Sequence, residues 1–237
     1  HIHRAHRQLS RLVATTLAAE LAQLYKSMSN KGAFSPDAKS AGRRALRNAV
    51  LTLLVQRGEP KDIALAVKHF ESATNMTDEA HALFLLAAAG GRVRDASLER
   101  FYERWRHDHL VIDTWFAAQA ISPQSDTVDR VRALTTHPLF SITTPNKVRA
   151  LVGNFATMNP VQFNRPDGTG YQLVAEQVLA IDRFNPQVAA RLLNCYRSWR
   201  ALEPTRRRAA RKALARVAAG PHLSRDVYEI VSRMLDT

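Results

Sequence analysis

Apolar residues recur along this chain at spacings of three and four, the period of one face of an α-helix. In the first segment Leu9, Leu12, Val13, Leu17, Leu21 and Leu24 fall on a single stripe. Residues 43–56, 62–73, 79–89 and 98–105 repeat the pattern. No stretch alternates apolar and polar residues as a half-buried strand does, so strands are not needed to account for any part. Proline placement divides the helices. Ser35-Pro36, Ser122-Pro123, Thr144-Pro145, Asn159-Pro160 and Asn185-Pro186 pair a capping residue with proline, the order of N-cap and first helical position. Pro60, Pro204 and Pro221 also fall where a new apolar period begins.

This punctuation predicts about a dozen helices of roughly ten to twenty residues, joined by short connections. The stretch "NRPDGTG", 164–170, is the one clear loop, with Asp167-Gly168 favouring a turn. Short helix pairs stacked in sequence make an all-α fold, a right-handed superhelix of antiparallel pairs of the HEAT or armadillo kind. No strict repeat period is visible, so a bundle of irregular topology is the structural alternative.

Composition changes this picture little. The chain has 237 residues, 46% hydrophobic and 23% charged, enough for a sizeable core in one domain spanning 1–237. No apolar run reaches the roughly 18 residues of a membrane helix, and the N-terminal residues lack the order of a signal peptide. They read as an amphipathic helix already under way, which suggests a piece of something longer. The single Cys195 excludes an internal disulfide, fits a cytoplasmic location and sits in an apolar helical pattern as a packed residue. In a reducing compartment the sequon at Asn75 carries no meaning.

Charge does add something. The balance of 34 Lys and Arg against 21 Asp and Glu gives +13, enough to attract polyanions. Much of the excess lies in residues 191–216, where nine basic residues face one Glu. Nucleic-acid binding normally adds a recognisable motif or an aromatic platform, and neither is present. A solvated basic face is the simpler reading.

Catalytic motifs are missing. There is no His-Glu dipeptide, hence no H-E-x-x-H zinc helix, and no glycine-rich phosphate loop. The one dense group of potential ligands is His107, Asp108, His109 and Asp113. On a helix the two histidines lie about 200° apart and cannot share a metal. His109 and Asp113 are i,i+4 partners, but two ligands fall short of a closed zinc site. Asp108 looks like a helix-entry carboxylate.

The same region carries a resemblance. "W-x-x-x-x-L-V-x-D-x-W-F-x-x-Q-A", Trp105 to Ala120, resembles a stretch in the C-terminal domain of bacterial aminopeptidase N, a gluzincin-type zinc metallo-aminopeptidase. Residues 42–51, 75–78, 137–155 and 167–192 agree in the same order, so the likeness covers nearly the whole chain. It implies an all-helical superhelical domain that closes over a catalytic domain and walls an internal cavity. The family's zinc ligands and general base belong to that preceding domain, where zinc-bound water attacks the first peptide bond. This chain is therefore expected to hold no catalytic residue, no metal and no cofactor of its own. Its partners would be the parent's catalytic domain and peptide substrates, with neither membrane nor nucleic acid.

The resemblance also implies that Arg149, Gln187 and Arg191 face the cavity near the substrate. Gln187 and Arg191 are i,i+4 and share a helix face. Arg149 and Arg191 both follow a cap-and-proline start by about one turn, which can aim them at one rim. They could hold a peptide carboxylate, or they could pair with acidic side chains across a domain interface. The competing function is a free-standing basic helical-repeat protein that binds nucleic acid or a protein partner.

Overall fold

The computed structural model describes residues 2–29 and 33–236. Fifteen α-helical segments and no strands occur among them, so the fold is all-α, as the periodicity predicts. The chain divides into two compact units, residues 1–104 and 105–237.

The first unit holds α1 (Ile2–Thr16), α2 (Ala18–Ser27), α3 (Ala38–Gln56), α4 (Pro60–Glu71), α5 (Met76–Ala89) and α6 (Gly91–Trp105). α3 packs against α1, α2, α4 and α5; Leu51 and Leu54 of α3 are buried, as are Ala66 and Phe70 of α4 and Leu83 and Leu86 of α5. The predicted stripe of α1 is only partly used. Ala14 is buried, while Leu9 and Leu12 stay 62% and 63% exposed. The stripe turns inward only in α2, at Leu21 and Tyr25.

A polar network ties these helices together. Asp78 accepts from the Asn48 side-chain amide at 3.0 Å and from that of Asn75 at 3.0 Å, and His69 Nδ1 lies 2.7 Å from the Tyr25 hydroxyl. Asn75 also caps α5 by accepting from the Asp78 N–H at 3.0 Å. Burial opposes a charge on Asp78, yet the His69 ring and the two amides hold its carboxyl at about 2. A folded value below the unfolded one, about 3.9, stabilises the fold above pH ~4, and that contribution fades as pH falls towards 2. Asp78→Asn is expected to flatten the acid limb of the stability profile in this window, followed by circular dichroism. An unchanged acid limb would show that the Asp78 charge adds no stability.

The second unit holds α7 (Ile112–Ala120), α8 (Thr127–Leu134), α9 (Pro145–Val148), α10 (Asn154–Met158), α11 (Pro160–Phe163), α12 (Thr169–Asp182), α13 (Pro186–Leu193), α14 (Pro204–Ala218) and α15 (Arg225–Asp236). A π-helical turn, Arg149–Gly153, joins α9 to α10. α12 packs against α13 and α14, and both of these pack against α15. An aromatic cluster fills the centre. Phe163 meets Tyr171 and Tyr196 edge-on at 5.0 and 5.4 Å, and Tyr196 donates to the Tyr171 carbonyl.

Proline marks helix starts less uniformly than its spacing suggests. Pro60, Pro145, Pro160, Pro186 and Pro204 do occupy the first helical position. Pro36 lies one residue ahead of the cap, which is Asp37 rather than Ser35. Pro123 lies in irregular backbone and Pro221 in a turn, and their helices begin only at Thr127 and Arg225. Segments α9 to α11 are also shorter than ten residues, because the π turn and the Asn159 cap interrupt them. Asn159 accepts from the Gln162 N–H and donates to the Ala120 and Ser122 carbonyls, so its buried amide closes the end of α7 as well.

Candidate functional site

The cluster at 107–113 resolves into structure. Asp108 Oδ1 accepts from the Leu110 and Val111 N–H groups at 2.9 and 3.0 Å, and these bonds lower its pKa. It shapes the entry to α7, as a helix-entry carboxylate should. Asp113 pairs with Lys147 at 2.6 Å, and the same ammonium donates to the His109 carbonyl at 2.8 Å. Trp115 and Phe116 pack edge-on at 5.2 Å beside His137. Both carboxylates are thus committed, and among the described residues no three His, Cys, Asp or Glu gather as a metal site would require.

Cys195 is equally unsuited to chemistry. Burial pushes its thiol well above the ordinary range, so the nucleophilic thiolate is not populated near neutral pH.

The residues Arg149, Gln187 and Arg191 behave differently. Pro145 starts α9 with its fixed φ, and one turn later the helix widens into the π turn at Arg149. Such turns recur at functional sites, because they re-aim side chains within a continuous helix. On α13, the Asn185 side chain accepts from the Val188 N–H at 3.1 Å and Pro186 follows it, so Gln187 and Arg191 are fixed on one face.

Arg149 and Arg191 meet at one cavity of about 360 Å³, walled by Val148, Met158, Val188 and Leu192. Gln187 does not line it. It shares with Arg191 an adjoining cavity of about 340 Å³, together with Asn194, Asp226 and Glu229. Arg191 therefore stands between the two. All three side chains are exposed, and none has a hydrogen bond or ion pair among the described residues. Of the two carboxylates on the adjoining cavity, Glu229 is already engaged by Arg225 at 2.8 Å, and Asp226 lines it as well. An apolar pocket rimmed by two unpaired guanidiniums suits a ligand with a hydrophobic body and a carboxylate. The signal missed in the sequence was the apolar wall, since Val148, Val188 and Leu192 read only as core.

The basic run at 191–216 is partly structural. Arg200 donates to the Met234 and Leu235 carbonyls, Arg206 to Asn164, and Arg216 to Glu176. Arg208, Arg211 and Lys212 remain exposed on α14.

The described residues form an α-helical repeat domain with a cavity rimmed by Arg149 and Arg191. Residues 1–236 match DUF3458_C, described as a domain of unknown function made of ARM repeats, and the chain belongs to that family. The relatives say more. The chain is 42% identical to aminopeptidase N of Caulobacter vibrioides over 99% of its own length, and 34% identical to that of Escherichia coli over 96%. It spans only 27% and 26% of those proteins. The crystal structure of Legionella pneumophila aminopeptidase A in complex with aspartic acid matches with a TM-score of 0.89 at 29% identity, over 99% of this chain and 28% of that one. The resemblance to the C-terminal domain of bacterial aminopeptidase N is borne out.

Proposed function

We propose that this chain is the non-catalytic C-terminal cap of a zinc aminopeptidase that removes N-terminal residues from peptides in the cytoplasm. The single zinc, its ligands and the general base belong to the parent's catalytic domain, which is the principal partner of this one. The cap walls the internal cavity that receives the peptide. The exposed apolar face of α1, with Leu9 and Leu12, suits a surface covered by that domain.

The observation that carries this reading is the meeting of Arg149 and Arg191 on one apolar cavity, where neither guanidinium has an ion pair among the described residues. A peptide held by its amino terminus at the distant zinc would place its far end among these groups. There a guanidinium offers charge-assisted hydrogen bonds to a carboxylate or to backbone carbonyls. Gln187 extends the same edge with an amide that both donates and accepts.

Two measurements test it. The isolated chain supplied with zinc is expected not to hydrolyse alanine p-nitroanilide, and chelator-sensitive turnover would overturn the inert cap. In the full-length enzyme, Arg191→Ala is expected to lower kcat/KM for longer peptides about tenfold, as loss of about 1.4 kcal/mol of binding requires. Single-residue substrates should change little, and equal losses on both would remove the distal role.

A further inference from the structure

The first unit contains a second polar cavity, of about 310 Å³, whose lining includes Phe34, Arg44, Arg47, His69, Asn75 and Asp78. Its hydrogen-bond pattern fixes an unusual surplus of donors. Arg47 Nη2 donates to the Tyr25 oxygen at 3.2 Å, since a guanidinium has nothing to accept with. The Asp78 carboxylate facing Nε2 of His69 favours the hydrogen on that nitrogen, so the Tyr25 hydroxyl is the donor to Nδ1, 2.7 Å away. A neutral imidazole that accepts at Nδ1 carries its hydrogen on Nε2. That Nε2–H has no hydrogen-bond acceptor, although His69 is only 2% exposed. Asp78 Oδ1 lies 3.8 Å off, beyond bonding distance, and the oxygens of Asp78 are already held by the amides of Asn48 and Asn75.

Arg47 Nε is likewise buried without a partner. Arg44, also buried, spends Nη1 on the Ser35 carbonyl at 2.8 Å and lies over the Phe34 ring. Its remaining N–H groups have no partner among the described residues. Two guanidiniums thus stand against one carboxylate. Among the side chains lining the cavity the unmet groups of Arg44, Arg47 and His69 are donors, and the one unmet acceptor of the network, Asn48 Oδ1, lies outside that lining. Buried polar groups are satisfied in nearly all folded proteins, so a surplus of donors at a cavity points to an acceptor from outside. The net positive charge favours an anionic one.

We propose that this cavity is a site for a small oxyanion, a phosphate or a carboxylate, held by Arg44, Arg47 and the Nε2–H of His69. The oxygens of either group can accept from several donors at once, which matches donors arriving from α3 and α4. The proposal is independent of the peptidase reading and involves none of its residues.

Isothermal titration calorimetry of the full-length protein at constant ionic strength tests it, with inorganic phosphate in one arm and succinate in the other. At least one anion is expected to bind saturably at the millimolar level, and at least tenfold more weakly in Arg47→Gln. Stronger binding of phosphate or of succinate identifies the class. Equal binding by wild type and Arg47→Gln, or no saturable binding of either anion, overturns the proposal. Should Arg47→Gln fail to fold, wild-type crystals soaked in selenate decide. An anomalous peak between Arg44 and Arg47 supports the site, and its absence leaves a water-filled cavity.

Discussion

Replacing Gly170 by alanine is expected to lower stability by about 3 kcal/mol, the upper end of overpacking costs. Gly170 is a buried residue in the first turn of α12, immediately after the Asp167-Gly168 turn. A β-carbon built on it would fall within 2.5 Å of the Phe163 carbonyl oxygen, closer still to that of Gln162, and 2.8 Å from the Phe163 Cα. These are backbone atoms of α11, which cannot rotate away as a side chain would. The sign is diagnostic. In an uncrowded helix, alanine is better than glycine by roughly 1 kcal/mol, so a stabilised variant would mean that α11 and α12 do not approach in this way. Urea unfolding of the wild-type and variant chains measures the difference. The aromatic cluster of Phe163, Tyr171 and Tyr196 depends on that approach, so near-ultraviolet circular dichroism should weaken alongside.

How much of this was legible beforehand varies with the kind of contact. Helical periodicity is local, so the all-α class follows from spacing alone, and Pro186 with Asn185 places α13 correctly. The shared face of Gln187 and Arg191 follows from the same local rule. The π turn does not, because one extra residue per turn leaves the three-and-four pattern nearly intact. Prolines in turns or irregular backbone look like prolines at helix starts until hydrogen bonds are known, which is why Pro123 and Pro221 misled. The meeting of Arg149 and Arg191 is different again. It depends on how α13 packs beside the π turn, and the sequence pointed to it through family resemblance and the matching positions of both arginines after a cap-and-proline start.

The polar pairs show why that resemblance was informative. Asn48, in the stretch 42–51, bonds Asp78, in the stretch 75–78, and Asp113 bonds Lys147 of the stretch 137–155. Each stretch looked like an isolated string, yet they join through buried hydrogen bonds. A buried charged pair tolerates little substitution, because either partner left alone is costly. The His69 arrangement escaped notice for the opposite reason: a histidine between Lys68 and Phe70 reads as an ordinary helix residue.

The Asp113–Lys147 pair gives the other large expected effect. Lys147→Met should destabilise the second unit by about 3 kcal/mol, the lower end for breaking a buried pair. The Lys147 side chain is 8% exposed and that of Asp113 21%, so water can relieve only part of the stranded charge. The His109 carbonyl loses its donor in the same step, and the Phe116 ring loses the ammonium 5.7 Å from its centre. Lysine to methionine keeps the length of the stem, which separates the charge from the packing. Changing both partners, Lys147→Met with Asp113→Leu, removes the stranded carboxylate and should recover more than half of the loss. A double-mutant cycle built from urea midpoints reads the coupling directly. If the two single losses simply add, Asp113 and Lys147 do not interact in solution. A coupling of about 2 kcal/mol instead makes this pair the clamp that joins the entry of α7 to α9, two residues ahead of Arg149 and the π turn.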